Sequence, residues 1–368
     1  MGECNKETTF SILDYFYSSG GNFIDTANMY MAGESETWLG EWMELRGVRD
    51  EMVVATKYTV PLKRAEDEGK ILSNHGGNNK KSLRISLAGS LKRLRTDYVD
   101  ILYVHGWEGT TSIGELMRSL DDAVKSGKVL YLGISNTPAW IVVKANDYAR
   151  AHALTPFVVY EGRWNAADRD IEREVVPMCK AEGMAIAVWG AMGGGKFKNA
   201  EQRVEAGRSA AVDDRSGTSA EDFQSVFQRL EKVGKRKGAS SMNVAMRYIM
   251  LKVCASCVLL SPVVLTEAQA PYVFPICGGR KIDHLKSNIE ALSIDLSEED
   301  IREIEDAFKF DLGYPHSTLS GARDKPVSAK DPAFVVAMCC SFDGVEEAKV
   351  CHPRQNSNPS YTAMGHTS

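Results

Sequence analysis

Polar side chains suited to acid–base chemistry stand at the ends of three short apolar runs near the amino terminus. Asp25 and Tyr30 lie in Asp-Thr-Ala-Asn-Met-Tyr, Lys57 closes Val-Val-Ala-Thr-Lys, and His105 closes Asp-Ile-Leu-Tyr-Val-His. A carboxylate, a phenol, an ammonium and an imidazole can together hold, tune and move a proton. Each alone has a plainer explanation. An Asp-Thr after a strand is ordinarily a helix cap, a strand-end lysine ordinarily faces solvent, and a lone histidine is ordinarily structural. All four on consecutive strand ends turn the reading towards catalysis, because a parallel (β/α) barrel gathers its active site at the carboxyl ends of its strands.

Such strands need helices between them, and the chain supplies the alternation. Phe10, Leu13, Phe16 and Tyr17 mark one face of an opening helix, which Gly20-Gly21 closes. Strands are predicted at Asn22–Asp25, Met52–Thr56, Tyr98–Tyr103, Val129–Ile134, Phe157–Tyr160, Met184–Val188 and Tyr272–Ile276. Helices are predicted between them at Ser35–Arg46, Lys81–Arg95, Ile113–Ser126, Ala139–His152, Asp170–Glu182, Ala220–Val233 (stopped by Gly234) and Ser241–Lys252. His284–Leu292 reads as a further helix, and Ser297-Glu-Glu-Asp opens a last one with an N-cap and an acidic first turn. Gly193–Ser219 reads as a large surface loop. The fold class is therefore α/β, a (β/α)8 TIM-type barrel of which seven strands are recognised. The chain opens directly on a helix, which places the missing first strand ahead of Met1 and a shortened gene model as the reason.

Composition excludes several functions. Of 368 residues 43% are hydrophobic and 25% charged, and the net charge is −5, so neither nucleic acid nor an anionic membrane is the expected partner. No signal peptide or spanning segment is recognisable. The eight cysteines are scattered, which suits a reducing cytoplasm. Cys254-Ala-Ser-Cys257 lacks a second pair, so no metal site is expected.

The order and spacing of Asp25, Tyr30, Lys57 and His105 resemble those of the aldo-keto reductases. Ser35-Glu-Thr-Trp-Leu-Gly-Glu-Trp42, Gly162-Arg-Trp-Asn165 and Gly193-Gly-Gly-Lys-Phe197 look like the fungal aryl-alcohol dehydrogenase branch, which includes norsolorinic-acid-reductase-like enzymes of secondary metabolism. The resemblance covers residues 5–345. It implies an NADPH-dependent oxidoreductase that reduces aryl or polyketide-type aldehydes or ketones. Tyr30 would donate the proton, Lys57 would lower the phenol's pKa, Asp25 would hold Lys57, and His105 would orient the carbonyl. Ser135 and Asn136 would bind the nicotinamide carboxamide with Glu161, and Trp189 would stack on the ring. Gly278-Gly-Arg-Lys281 suits a phosphate site after the last strand, because glycines let backbone N–H groups approach and Arg280 and Lys281 suit a 2′-phosphate. His284 and Asn288 match positions near the adenosine. Alternatives are an aryl-alcohol dehydrogenase working in the oxidising direction, a non-catalytic nucleotide-binding barrel, or an inactive product. The substrate is a small carbonyl compound or alcohol, and the oligomeric state is left open.

The sequence also departs from the resemblance. Val253–Gln269 interrupts text that is otherwise continuous; valine codons can begin with GT and glutamine codons can end in AG, so a retained short intron is expected. The reductase domain is placed at 1–314, and 315–368 is assigned to a substrate-loop region and a disordered tail. Glu161 stands where Gln is usual, and its ionised form would favour oxidised nicotinamide. Gly106 replaces a bulkier residue and would widen the substrate pocket. Trp107, Trp164 and Tyr314 suggest a flat, apolar substrate.

Overall fold

A computed structural model of the chain describes residues 4–62, 71–197, 218–256, 272–320 and 338. Helix α1 (Lys6–Ser18) starts where the Asn5 side chain accepts from the Thr8 N–H. It leads into β1 (Phe23–Asp25), α2 (Glu34–Arg46), β2 (Val53–Tyr58), α3 (Lys80–Leu94) and β3 (Val99–Val104). Then follow α4 (Ile113–Lys125), β4 (Val129–Ser135), α5 (Ala139–Ala151), β5 (Phe157–Arg163), α6 (Val175–Glu182) and β6 (Ala185–Trp189). Helices α7 (Ala220–Lys237) and α8 (Ser241–Ser256) precede β7 (Val273–Pro275), α9 (Ile282–Glu290), α10 (Glu298–Glu305) and the short α11 (His316–Ser320).

The seven described strands form one sheet in chain order, every neighbouring pair parallel. Parallel neighbours joined by helices bury both sheet faces. The outer face packs on the helices through residues such as Val54, Leu102, Leu132, Phe157 and Ile186. The inner face carries a second cluster of Ala55, Tyr103, Val159 and Ala187, with Phe23, Ile101, Ala185 and Ile276 against it. The sheet curls far enough to bring its two edges together. Phe23 on β1 and Phe274 on β7 meet edge-on, 6.1 Å between ring centroids, while among the described residues no backbone ladder joins the two strands. Outside that seam α1 packs on α9, with the Lys286 ammonium 5.7 Å from the Tyr15 ring.

Several expected boundaries moved. The helix read to stop at Gly234 runs on to Lys237 and is capped by Gly238, whose φ of 66° is left-handed. Gly234 answers to a close approach instead, because a Cβ there would stand 2.6 Å from the Ala239 carbonyl oxygen. The helix expected over Asp170–Glu182 splits into a 3-10 turn (Asp170–Glu172) and α6. Pro177 has no N–H to give the preceding turn, so it must lie in the first turn of a helix, and α6 begins just ahead of it at Val175. Helix α8 is described to Ser256, beyond the expected end at Lys252. The rest of the expected intron-derived insert lies outside the described residues, as do most of the Gly193–Ser219 loop and nearly all of the expected tail. No described helix is long and apolar enough to cross a membrane.

The register sets Lys57, Tyr103 and Gly133 side by side on three adjacent strands. A Cβ at Gly133 would fall inside the buried Tyr103 ring, so the glycine is what admits that ring to the inner face. Gly133→Ala is expected to cost about 1–3 kcal/mol by overpacking. The checking measurement is a denaturant titration, in which the midpoint should fall while the slope is unchanged.

Candidate active site

Lys57 is the fixed point of the site. It sits inside β2 with a side chain 0% exposed, and its Nζ donates to Asp25 Oδ2 at 2.5 Å and to the Thr26 carbonyl at 2.9 Å. A buried ammonium is tolerable only when paired and hydrogen-bonded in this way. Burial alone would lower its pKa, but Asp25 and Glu161 outweigh that and raise it, so Lys57 stays charged. Asp25 ends β1, and the ladder continues past it through the Thr26 N–H to the Ala55 carbonyl.

Tyr30 reaches the same place from the segment after β1. That segment is pinned by the Asn28 N–H on the Lys57 carbonyl and by the Asn28 side chain on the Val60 carbonyl. It then turns through three left-handed residues, Met31 (φ 51°), Ala32 (φ 53°) and Gly33 (φ 93°). For the two non-glycines this costs about 1–2 kcal/mol each, a strain typical of segments that aim a functional side chain. The Lys57 ammonium lies 5.1 Å from the Tyr30 ring centroid, and the His105 ring meets Tyr30 edge-on at 5.9 Å. Burial raises the phenol's pKa most; Lys57 pulls it down, while Asp25 and Glu161 push it up again. The expectation that Lys57 would lower this pKa is thus met in sign for Lys57 but not in sum.

His105 continues the strand direction, its N–H bonded to the Tyr58 carbonyl. Burial and then the Lys57 charge lower its pKa to about 4, so the ring is neutral. Its Nδ1 is buried without a hydrogen-bond partner among the described residues. Glu161, on β5 and 3% exposed, brings Oε2 to 3.3 Å from Lys57 Nζ. The site therefore holds one ammonium between two carboxyl groups.

Around this centre Ser135 ends β4, fully buried, and Asn136 follows in a left-handed conformation with φ 47°. The Asn136 amide donates to the His105 carbonyl at 3.2 Å and to Ser135 Oγ at 2.9 Å, which joins this pair to the four. Trp189 closes β6 half-buried, and the Arg163 guanidinium lies 5.7 Å from its ring. At the far edge of the sheet, Gly278–Lys281 forms the turn from β7 into α9. Lys281 is the N-cap residue of α9, and the Arg280 N–H points to His284 Nδ1 at 3.4 Å. His284 and Asn288 are one turn apart on the same face of α9. The turn thus offers glycine backbone, a helix amino end and two cations in one place.

Two further expectations meet the structure unevenly. A Cβ at Gly106 would touch nothing within 4 Å, so the space beside His105 is open. Trp164 is core, buried completely with its indole N–H on Glu172 at 2.9 Å, and does not line a pocket. Trp107 is half-buried against the main core, and Tyr314 is 85% exposed. Sequence reading missed Tyr103, whose buried hydroxyl has no partner among the described residues and whose ring lies 5.5 Å from Lys57 Nζ. Its position two residues before His105 was the available signal, since residues two apart on a strand share a face. An open groove of about 740 Å³ lies beside Arg49 and Lys128 at the opposite ends of the strands; Arg49 there is already committed to Asp100 at 2.8 Å.

Comparison with known proteins agrees with this geometry. The aldo/keto reductase family model matches residues 1–309. The chain belongs to that family and is an oxidoreductase; the family generally uses NAD(P)H and acts on small molecules. It is 48% identical over 357 residues to norsolorinic acid reductase B of Dothistroma septosporum, covering 96% of this chain and 86% of that protein. Norsolorinic acid reductase of Aspergillus flavus is 50% identical over 319 residues, 87% of this chain and 76% of its own. A probable aryl-alcohol dehydrogenase of Saccharomyces cerevisiae is 44% identical over 351 residues, 93% of this chain and 100% of its own.

The neutral His105 has a measurable consequence. Its folded pKa, about 4, lies below the ordinary histidine value of about 6.5. Between those values the unfolded chain binds more protons, so this contribution to stability is complete above the upper value and is lost as pH falls towards the lower one. The imidazole NMR signals of His105 should remain those of the neutral ring throughout the physiological range. A midpoint near the ordinary value would contradict the burial argument.

Proposed function

We propose that this chain is an NADPH-dependent reductase of aryl or polyketide-type aldehydes or ketones, serving fungal secondary metabolism in the cytoplasm. The observation that carries the reading is the convergence of Asp25, Tyr30, Lys57 and His105 on one buried ammonium. The names of relatives from Dothistroma and Aspergillus supply the substrate class. The reductase domain is taken as residues 1–314.

The residues present suit a nicotinamide beside a carbonyl. His105 Nδ1, a buried polar atom without a partner among the described residues, marks a place where a ligand group is wanted. Ser135, Asn136 and Glu161 would hold the carboxamide, Trp189 would stack on the ring, and Gly278, Gly279, Arg280 and Lys281 would take the phosphates. His284 and Asn288 lie where the adenosine end would rest. The bound cofactor supplies a hydride to the carbonyl carbon. Tyr30 gives its phenolic proton to the developing alkoxide, with Lys57 stabilising the phenolate left behind. Asp25 keeps Lys57 charged and in place. Neutral His105 orients the carbonyl oxygen. Arg280 and Lys281, two cations at one turn, favour a 2′-phosphate and hence NADP over NAD.

A second reading, oxidation of aryl alcohols on the same site, is favoured by the Glu161 carboxyl, which when ionised attracts a cationic ring. Tyr30→Phe is expected to lower turnover by about 10²–10⁴-fold while NADPH still quenches tryptophan fluorescence. Retained turnover would remove Tyr30 from the mechanism and leave the barrel as a binding protein. Arg280→Ala should weaken NADPH binding by about tenfold or more, the worth of a charge-assisted hydrogen bond, and leave NADH binding nearly unchanged. Equal losses for both nucleotides in titrations would refute the 2′-phosphate assignment.

A further inference from the structure

The centre of the site has an imbalance of charge. Lys57 is one cation, and two buried carboxyl groups face it: Asp25 at 2.5 Å and Glu161 at 3.3 Å. One ammonium neutralises one carboxylate. A second buried carboxylate would stand as net charge largely shielded from water, which a carboxyl group avoids by keeping its proton. The shorter contact assigns the charge to Asp25 and the proton to Glu161. Asp25 Oδ1 and Glu161 Oε2 are both buried without hydrogen-bond partners among the described residues.

We infer that Glu161 is a positioning acid that stores a proton in the resting enzyme and resupplies Tyr30 through Lys57 whenever a carbonyl is reduced. The inference rests on the reading of Tyr30 as the proton donor. Hydride goes to the carbonyl carbon and the phenolic proton to its oxygen, leaving a phenolate. Lys57 returns a proton to the phenolate, and Glu161 returns one to Lys57. The sum is one carbonyl, one reduced nicotinamide and one carboxylic acid becoming one alcohol, one oxidised nicotinamide and one carboxylate. Solvent then reloads Glu161. In reverse, a deprotonated Glu161 accepts the proton that alcohol oxidation releases. The pH range in which each direction runs fastest thus follows the state of this carboxyl.

Of the groups facing Glu161, the Asp25 carboxyl is pushed up by burial as well, but Asp25 has the shorter contact with Lys57, which pulls it back, and this leaves Glu161 as the titrating member. Asp25 comes from β1, Tyr30 from the segment after it, Lys57 from β2, Tyr103 from β3 and His105 from the strand's continuation. Ser135 on β4 and Ala187 on β6 are its register neighbours and carry no charge. Burial keeps Tyr103 protonated and His105 neutral. Burial first, then the Asp25 charge, push the Glu161 carboxyl up to about 8, inside the working range of an enzyme.

The test begins with the free protein. Infrared titration should reveal a carboxylic-acid C=O stretch that disappears as pH rises through about 8. That band should be missing from Glu161→Gln. With cofactor and substrate, kcat/KM for reduction should fall tenfold per pH unit above that point, as loss of one required proton demands. Glu161→Gln should lose this alkaline limb and the accompanying rise in alcohol oxidation. A wild-type protein without such an acid band overturns the inference and needs no variant that folds. So does a Glu161→Gln enzyme that keeps the same alkaline limb. If Tyr30→Phe is inactive while either of those results is found, only the role of Glu161 falls; an active Tyr30→Phe removes the proposed function itself.

Discussion

A single buried ammonium governs this molecule. Lys57 has no solvent to share its charge with, so the fold must bring a carboxylate and a carbonyl oxygen to it from another strand. That demand fixes the end of β1, the register of β2 and the direction in which the segment carrying Tyr30 departs. It also explains the strain at Met31 and Ala32, two left-handed residues placed where the chain must turn sharply to keep the phenol near the cation. The inner face answers to the same centre: Gly133 gives up its side chain so that the Tyr103 ring can pack beside Lys57. Replacing any of these groups therefore disturbs the others, and effects of paired substitutions here should not add.

The low dielectric that makes the ammonium costly also sets the acid–base character of its neighbours. The same burial holds His105 neutral, keeps the Tyr30 phenol protonated and raises the Glu161 carboxyl. A proton donor in reserve, a neutral hydrogen-bonding imidazole and a permanent cation are what delivering a proton to an alkoxide requires. In this arrangement desolvation does the tuning and the charges correct it. A solvent-filled site with the same residues would have a cationic histidine at moderately acidic pH and two ionised carboxylates.

Much of this was legible in the sequence, and the misses share a cause. Asp25, Tyr30, Lys57 and His105 were found because they stand at or just past the ends of apolar runs. The polar residues that close those runs also hid the true ends of the strands. Apolar patterning ended β2 at Thr56, β4 at Ile134, β5 at Tyr160 and β6 at Val188. The strands run on to Tyr58, Ser135, Arg163 and Trp189. Lys57, Ser135, Glu161 and Trp189 are thus ladder residues and not the first residues of loops, which makes them more rigidly held than the pattern implied. Tyr103 was missed for the complementary reason, since an aromatic within an apolar run looks like core. The left-handed turn after Tyr30 left little trace, because only one of its three residues is glycine.

The meeting of Phe23 with Phe274 bears on how the barrel holds together. Two rings in edge contact contribute about 0.5–1.5 kcal/mol beyond the area they bury, and among the described residues no backbone hydrogen bond joins their two strands. The reacting centre begins on the β1 side of that seam, and the glycine turn proposed for the phosphates begins on the β7 side. A dinucleotide spanning both would act as a clasp. By mass action its binding would then be coupled to closure, making occupancy and mechanical integrity two readings of one equilibrium.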